Sequence, residues 1–341
     1  MAPRGQVRDA IETRDGSYLA VGSIGWNGAI WRSTDGTNWA PVADVPPIGP
    51  QDAKGLSGVV ETADGFLAWG GGGARYSEAG FSVIWTSSDG TAWIERARWT
   101  GFLTEVVQGG PGFVGVGSEA GLDNLYGALA WSSADGMTWT ESPPVPGPDA
   151  TGMLGVTAFE DGFLAVGASR DQQGGVDGIV WRSEDGIVWR QTQDANLTGS
   201  GLSGVILADG RLVAASWSTL HTIHGEVDRA GIQVSADGLS WTQAYAPECC
   251  GQMLDIVDTG SGLLALYRWY LPGVRDGVGL LRSTDGTWWD VIGAPPLEEG
   301  VIWVRLLNIG GALGVIGLAV QGIANDEYQP VFLLPPTNLV H

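Results

Sequence analysis

The chain has 341 residues, of which 44% are apolar, and it contains 55 glycines and 17 tryptophans. This composition favours a folded, turn-rich β protein over a disordered chain, which would be poor in aromatic residues. The formal net charge of −21 argues against a nucleic-acid partner, because phosphate backbones require a basic surface, and no apolar stretch is long enough to predict a membrane span.

The first repeated element in chain order is a turn followed by a short apolar strand. It reads DGSYLAVG at 15–22, DGFLAWG at 64–70, GFVGVG at 112–117 and DGFLAVG at 161–167. Weaker copies follow at 209–215, 261–266 and 311–317. Seven copies at this spacing predict seven repeats of one structural unit.

The second repeated element lies downstream of each copy except the last. It reads WRSTDGTNW at 31–39, WTSSDGTAW at 85–93, WSSADGMTW at 131–139, WRSEDGIVW at 181–189, QVSADGLSW at 233–241 and LRSTDGTWW at 281–289. The seventh unit runs into Pro335 and Pro336 where this element would stand.

Each unit is predicted to contain four short strands bounded by Asp-Gly turns. Four-stranded units in radial repetition protect sheet edges, so the sequence predicts an all-β, seven-bladed propeller with four antiparallel strands per blade and an atypical last blade. A single domain over 1–341 is expected, with blades at about 6–45, 56–98, 102–144, 153–194, 202–246, 252–294 and 304–341. A solenoid is the alternative architecture.

The six Ser-x-Asp-Gly-x-x-Trp elements resemble the Asp-box of the bacterial neuraminidase repeat, which occurs in sialidases and other propellers of that superfamily. They have one residue fewer between Asp and Gly than the usual box. The resemblance implies a hairpin turn between the third and fourth strands of each blade and a ligand face on the opposite side. The Ser and Asp side chains are suited to hold backbone N–H groups of the turn, so we interpret the boxes as structural.

Aromatic residues recur in the segments expected to form the face opposite the boxes, here called the loop face. Amphipathic rings there would form a platform for a sugar or a protein partner, or would fold down to cover the loops. The candidate ligand-binding residues on this face are Trp26, Trp99, Trp217, Trp269, Trp303, Tyr76 and Tyr270.

Three carboxylates, Asp9, Glu105 and Asp255, align at one position of the predicted inner strands. Arg8 and Arg305 align at the neighbouring position and are further candidate ligand-binding residues. The carboxylates are candidate catalytic residues, as a general acid and base for glycoside cleavage. The alternative is that they line a water-filled central channel as solvated or ion-paired groups.

His221 and His224 lie one loop away from the adjacent Cys249 and Cys250. A soft-metal site, a vicinal disulfide, and surface histidines beside a reduced thiol pair are the three alternatives. We favour the last of these, and we expect neither a metal nor a cofactor.

Two functions remain open from the sequence. One is a carbohydrate-directed propeller that binds glycans or acts on glycosides, and the other is a non-catalytic scaffold for protein interaction or assembly. Orthodox sialidase activity is not expected, because the Arg-Ile-Pro segment before the first box is missing and sialidases have six blades. We expect a monomer that is secreted or at the cell surface, although no signal peptide is visible in this chain.

Closure of the ring is predicted to involve the last blade alone. That blade would be completed by 337–341 or be left with three strands, since only 1–5 precede the first inner strand.

Overall fold

The computed structural model describes most of the chain, including every strand core. The described ranges are 6–24, 27–36, 38–42, 53–72, 80–119, 127–148, 151–171, 175–192, 194–222, 225–247, 250–269, 277–293, 301–309, 312–320 and 328–333.

The first three blades are antiparallel sheets whose strands follow one another in chain order. Blade 1 contains β1 Gln6–Glu12, β2 Tyr18–Ile24, β3 Asn27–Ser33 and β4 Ala40–Pro41. Blade 2 contains β5 Ala53–Thr62, β6 Gly65–Gly72, β7 Phe81–Ser87 and β8 Ile94–Thr100. Blade 3 contains β9 Phe102–Gly109, β10 Gly112–Ser118, β11 Ala128–Ser133 and β12 Thr140–Glu141.

The next three blades repeat this order. Blade 4 contains β13 Thr151–Phe159, β14 Gly162–Arg170, β15 Val176–Ser183 and β16 Arg190–Thr192. Blade 5 contains β17 Gly201–Ala208, β18 Arg211–Thr222, β19 Gly225–Ser235 and β20 Thr242–Tyr245. Blade 6 contains β21 Gly251–Asp258, β22 Leu263–Trp269, β23 Gly277–Ser283 and β24 Asp290–Gly293.

A terminal sheet follows, made of β25 Val301–Ile309, β26 Ala312–Val320 and β27 Tyr328–Leu333. The first strand of each sheet contacts the first strand of the next, and β25 contacts both β21 and β1. The terminal sheet therefore lies between blade 6 and blade 1, and the inner strands surround a central channel.

The prediction of seven four-stranded blades is wrong. The structure has six four-stranded blades, and its terminal sheet has three strands in the described part of the chain. The physical reason is the missing turn element, since the sequence after Leu333 continues with Pro335 and Pro336, and proline cannot donate to a strand ladder. The strand predicted for 337–341 lies outside the described residues.

Because six complete blades are present, blade number does not distinguish this chain from the six-bladed sialidases. The missing Arg-Ile-Pro segment still argues against orthodox sialidase activity.

The hydrophobic core lies between blades and is built around the tryptophans of the third strands. Trp31, Trp85, Trp131 and Trp181 are all fully buried. In one core cluster, Leu19 of blade 1 packs with Trp85 of blade 2, so each interface joins neighbouring sheets. Burial of such large rings contributes most of the favourable free energy of a contact between two sheets.

The six Ser-x-Asp-Gly turns join the third and fourth strands and lie on one face of the ring, here called the turn face. In blade 4, Gly186 N donates to Ser183 Oγ at 2.9 Å, and Ile187 N and Val188 N both donate to Asp185 Oδ1 at 2.8 Å. The glycine has φ of 74°, which other residues rarely adopt. The turn is therefore closed by its own side chains.

The one helix among the described residues is the 3₁₀ turn Ala195–Leu197. None of the described helical structure is long and apolar enough to cross a membrane.

Candidate functional site

Every inner strand carries a β-bulge at the same level of the channel. A bulge adds one unpaired residue and re-aims its side chain. The bulge residues are Arg8, Ser57, Thr104, Leu154, Ser203, Leu254 and Val304.

These bulges form much of the wall of a channel cavity of about 540 Å³. Arg8, Glu105 and Asp255 bring charge to its lining, and Ser57, Thr104 and Ser203 bring hydroxyl groups. Leu154, Met253 and Leu254 are among its apolar residues. The cavity thus combines a few polar groups with apolar surface, as ligand pockets commonly do.

The three predicted carboxylates follow the bulges and form hydrogen bonds between neighbouring sheets. Val59 N of blade 2 donates to Asp9 Oδ2 at 3.0 Å. Val156 N of blade 4 donates to Glu105 Oε2 at 3.0 Å. Leu306 N of the terminal sheet donates to Asp255 Oδ2 at 2.7 Å. Each carboxylate therefore links its inner strand to the next one.

Asp255 is buried and forms two hydrogen bonds with backbone N–H groups. It is 9% exposed, and its second oxygen accepts a hydrogen bond from Ile256 N at 3.0 Å. Both carboxylate oxygens are therefore bonded to the backbone, which satisfies a buried negative charge. Glu105 and Asp255 line the channel cavity, whereas Asp9 is not part of its lining.

In blades 2, 4 and 5 the residue after the bulge is a glycine instead of a carboxylate. In two of these blades, neighbouring atoms leave no room for a side chain. A Cβ on Gly58 would lie 2.1 Å from Trp69 Cζ2, since the Trp69 ring lies over that glycine. A Cβ on Gly155 would lie 2.7 Å from Gly204 Cα, where two inner strands approach closely. A Cβ on Gly204 would have no heavy atom within 4 Å.

The arginines do not share one position, contrary to the sequence alignment. Arg8 is a bulge residue, whereas Arg305 pairs with Ile316 after the bulge and so aligns with the carboxylates. Arg8 lines the channel cavity, and desolvation by burial lowers the pKa of its guanidinium. It remains a cation at neutral pH, because the ordinary pKa of arginine is far above that range.

Trp99 lies at the end of strand β8, not in a loop. Its ring stacks on Trp131 with centroids 4.8 Å apart, and it lies 6.3 Å from Trp139. The residue is half-buried and belongs to the core between blades 2 and 3. Its ring therefore stabilises the packing of two blades, and its predicted placement in a loop is wrong, whereas its contact with ligand stays a prediction.

Trp217 and Trp269 also lie in strands: Trp217 is in the middle of β18, opposite the first residue of β17, and Trp269 is the last residue of β22. A Cβ on Gly201 would lie 2.5 Å from Trp217 Cζ2, and a Cβ on Gly277 would lie 2.0 Å from Trp269 Cζ2. Each ring thus lies flat over a glycine of an adjacent strand. Both residues keep partial exposure, so they remain candidates for ligand contact.

For the other predicted aromatic residues, the structure describes no side-chain contacts. Trp303 is in strand β25, where the backbone alone is described. Trp26, Tyr76 and Tyr270 lie outside the described residues. Their proposed contact with ligand stays a prediction.

The histidine and cysteine alternatives are partly resolved. Among the described residues, no group of three His, Cys, Asp or Glu side chains could hold a metal ion. Cys250 is disulfide-bonded, and because the chain contains only one further cysteine its partner is Cys249. The reduced thiol pair favoured from the sequence is therefore wrong, and the vicinal disulfide is the alternative that the structure supports. His224 and Cys249 lie outside the described residues.

The bulge hydroxyls were missed by sequence reasoning. Thr104 Oγ1 lies 2.8 Å from Val116 O and 2.9 Å from Met153 O, so it bridges blades 3 and 4 beside Glu105. A bulge shifts the alternation of a strand by one residue, and in inner strands of 7 to 10 residues that shift is hard to tell from an irregular apolar pattern. The alignment of Asp9, Glu105 and Asp255 was the only feature of the sequence that indicated a shared position along the channel.

No family model and no curated protein matches the sequence. Among solved structures, YCF48 bound to D1 peptide is 13% identical, with a TM-score of 0.57 over 99% of this chain and 94% of the other. The structure of YjhT is 12% identical, with a TM-score of 0.52 over 85% and 97%. A Trypanosoma rangeli sialidase in complex with the inhibitor DANA is 15% identical, with a TM-score of 0.50 over 98% of this chain and 56% of the sialidase. These likenesses show that the chain has a propeller fold of the kind found in sialidases.

Proposed function

We propose that this protein is a non-catalytic binding propeller, which holds a segment of a partner protein at the loop-face mouth of its channel. The observation that carries the proposal is the engagement of Asp9, Glu105 and Asp255 by backbone N–H groups of the neighbouring sheets. These carboxylates act as fasteners between inner strands.

Their placement argues against glycoside cleavage. A glycosidase needs two carboxyl groups facing one bond, about 5 to 10 Å apart, one of them able to give up a proton. Here Asp9 does not line the channel cavity, so only Glu105 and Asp255 could face a bound substrate. Asp255 also has both of its oxygens occupied by N–H donors.

The channel cavity supports binding of a peptide segment. Arg8 supplies a positive charge, Glu105 supplies a negative charge, and three hydroxyl groups supply further hydrogen-bonding atoms. Leu154 and Leu254 supply apolar contact. A volume of about 540 Å³ suits one or two side chains of a bound segment. YCF48 was solved bound to a peptide, so a propeller of this fold accommodates such a ligand.

A carbohydrate ligand is the second candidate function. It is favoured by the partly exposed Trp217 and Trp269, which lie on neighbouring blades at the level where the inner strands β17 and β21 begin. Flat, partly exposed indoles are suited to stack on sugar rings. Location outside the cell and a monomeric state are part of both candidates and stay predictions.

Glu105→Gln separates binding from catalysis. Glutamine keeps an oxygen that can accept the hydrogen bond from Val156 N but cannot serve as a general acid or base. The wild-type protein and the variant are tested on a panel of fluorogenic glycosides that includes a sialoside. We expect no hydrolysis by either. Hydrolysis by the wild type that falls at least about a hundredfold in the folded variant would contradict the proposal.

Peptide and glycan arrays then decide between the two ligands. Binding to peptides that is retained in Trp217→Ala and Trp269→Ala supports the first candidate. Binding to glycans that is lost in these variants, and kept in Trp288→Ala on the turn face, supports the second and overturns the first.

A further inference from the structure

The turn face of blades 3 to 6 carries exposed apolar side chains between the Gly and Trp of each turn, at both variable positions in blade 4 and at one of the two in blades 3, 5 and 6. Val188 is 55% exposed, Leu239 is 48% exposed and Trp288 is 84% exposed. The full set is Met137, Ile187, Val188, Leu239 and Trp288, here called the apolar arc. It extends over four consecutive blades.

The turn itself does not require these apolar residues. In blade 2 the same positions hold Thr91 and Ala92, whose N–H groups donate to Asp89 Oδ1 at 2.8 and 3.1 Å. Ile187 N and Val188 N make the same bonds to Asp185. Since the hydrogen bonds use only the backbone at these positions, the side chains are free to serve another purpose.

Two residues of the apolar arc, Val188 and Leu239, line a surface cavity, here called the hollow. It lies between blades 4 and 5, has a volume of about 790 Å³, and includes Val188, Leu239 and Phe159 in its lining. Exposed apolar side chains that share a hollow, as Val188 and Leu239 do, are a feature of interaction sites on folded proteins. The exposed Trp288 is of the residue type most enriched among interface hot spots.

The hollow is also acidic. Glu160, Asp161, Glu184 and Asp185 line it together with Arg182 and Arg190. Arg182 is already used, because it forms an ion pair with Glu160 and stacks on the Phe159 ring at 5.2 Å. Hydrogen bonds from the backbone, first that of Val188, lower the pKa of Asp185, so its carboxylate stays ionised in mild acid.

We propose that the apolar arc and its acidic hollow form a second docking surface, which binds a cationic amphipathic segment of a partner protein. Apolar side chains of that segment would fill the hollow, and flanking Lys or Arg would face the unpaired acidic charge. The net charge of −21 would speed the encounter with such a partner through long-range attraction. This surface is on the opposite side of the ring from the channel mouth and does not depend on the function proposed above.

The test uses a fluorescein-labelled peptide of about 18 residues, with Leu and Lys at helical spacing, and the same peptide with Glu for Lys. Binding to the full chain is measured by fluorescence anisotropy at about 150 mM salt. The double variant V188A/L239T gives blades 4 and 5 the residue types of the blade 2 turn. Ile94→Ala on β8 is the matched control, because Ile94 is as exposed as Val188, at 55%.

We expect the double variant and Trp288→Ala each to weaken binding of the Leu/Lys peptide by about tenfold, with less than about a twofold change in Ile94→Ala. We expect the Leu/Glu peptide to bind at least about tenfold more weakly. Equal binding to all folded variants would overturn the proposal, as would no binding to the folded wild type at about 100 μM. Dimerisation that is lost in the double variant would also overturn it, because the occupant would be a second copy.

Discussion

The turn face and the channel level of this propeller are built by the same repeat, yet they differ in how they are held. At the turn face, six turns make one set of bonds, with the distance from Gly N to Ser Oγ between 2.8 and 2.9 Å in every case. At the channel level, the residue after the bulge is Asp, Gly, Glu or Arg, depending on the sheet.

The difference follows from the range of the contacts. Each turn is closed by residues within a few positions of one another, so its solution can be copied from blade to blade. At the channel level, the three carboxylates that follow a bulge bond to the neighbouring sheet about 50 positions away, as Asp9 bonds to Val59. The residue at this level therefore depends on what it meets: three sheets use a carboxylate bonded to the next sheet, whereas in blade 2 a glycine lies under the Trp69 ring of its own sheet.

The largest effect is expected from removing a channel-level fastener. Asp255→Ala leaves Leu306 N and Ile256 N without their acceptor in a buried place, and we expect a loss of about 3 kcal/mol in the free energy of unfolding. Chemical denaturation measures it. Asp290→Ala, at an exposed position of β24, is the control and should change stability by less than about 0.5 kcal/mol. Equal effects of the two would contradict the fastener role.

A second experiment asks whether the channel level is set by its neighbours. Gly58→Ala would place a Cβ 2.1 Å from the Trp69 ring, and we expect a destabilisation of about 2 kcal/mol from overpacking. Gly204→Ala occupies the same position in blade 5 and meets no heavy atom within 4 Å, so we expect a change within about 0.5 kcal/mol. Similar losses of stability in both variants would mean that the backbone at this position requires glycine, whatever side chain lies beside it.

At the turn face, equivalent substitutions should have equal effects. Ser183→Ala removes the acceptor of Gly186 N, and Ser133→Ala removes that of Gly136 N. Each serine is buried, so each loss should be about 1 to 2 kcal/mol. Thermal unfolding of the two variants measures it, and values that differ by more than about 1 kcal/mol would break the equivalence of the turns.

The smallest effect on stability is expected from Asp15, in the hairpin turn between β1 and β2 of blade 1 on the turn face. Hydrogen bonds, first from the Thr13 hydroxyl and then from Ser17, lower the pKa of Asp15 to about 2. Because the folded-state pKa lies below the unfolded value, the stabilisation is present above the ordinary Asp pKa of 3.8 and is lost as the pH falls towards 2. An NMR titration of the carboxyl measures this value.

The control for that titration is Thr13→Val, which removes the hydroxyl that donates to Asp15 Oδ1 at 2.6 Å. We expect the pKa of Asp15 to rise towards its ordinary value in this variant. An Asp15 carboxyl that titrates near 4 in the folded wild type would show that these bonds are not formed in solution.

The amino-acid sequence by itself determined the repeat, the four-stranded blades and the turns. The Ser-x-Asp-Gly signature could be interpreted correctly because the groups that satisfy the turn lie within the signature itself. The sequence also aligned Asp9, Glu105 and Asp255 at one level of the channel. The count of complete blades was wrong because the apolar strands of the last repeat look like the others, while the turn that would create its fourth strand is missing.

Only the tertiary structure decided what the aligned residues do. Whether Glu105 faces a substrate or the amide of Val156 depends on how two sheets approach, and no local pattern carries that information. The same holds for Trp99, which lies against Trp131 of the next blade. Local hydrogen bonds can be read from neighbouring letters, whereas contacts between blades are fixed by the twist, the bulges and the packing of the closed ring.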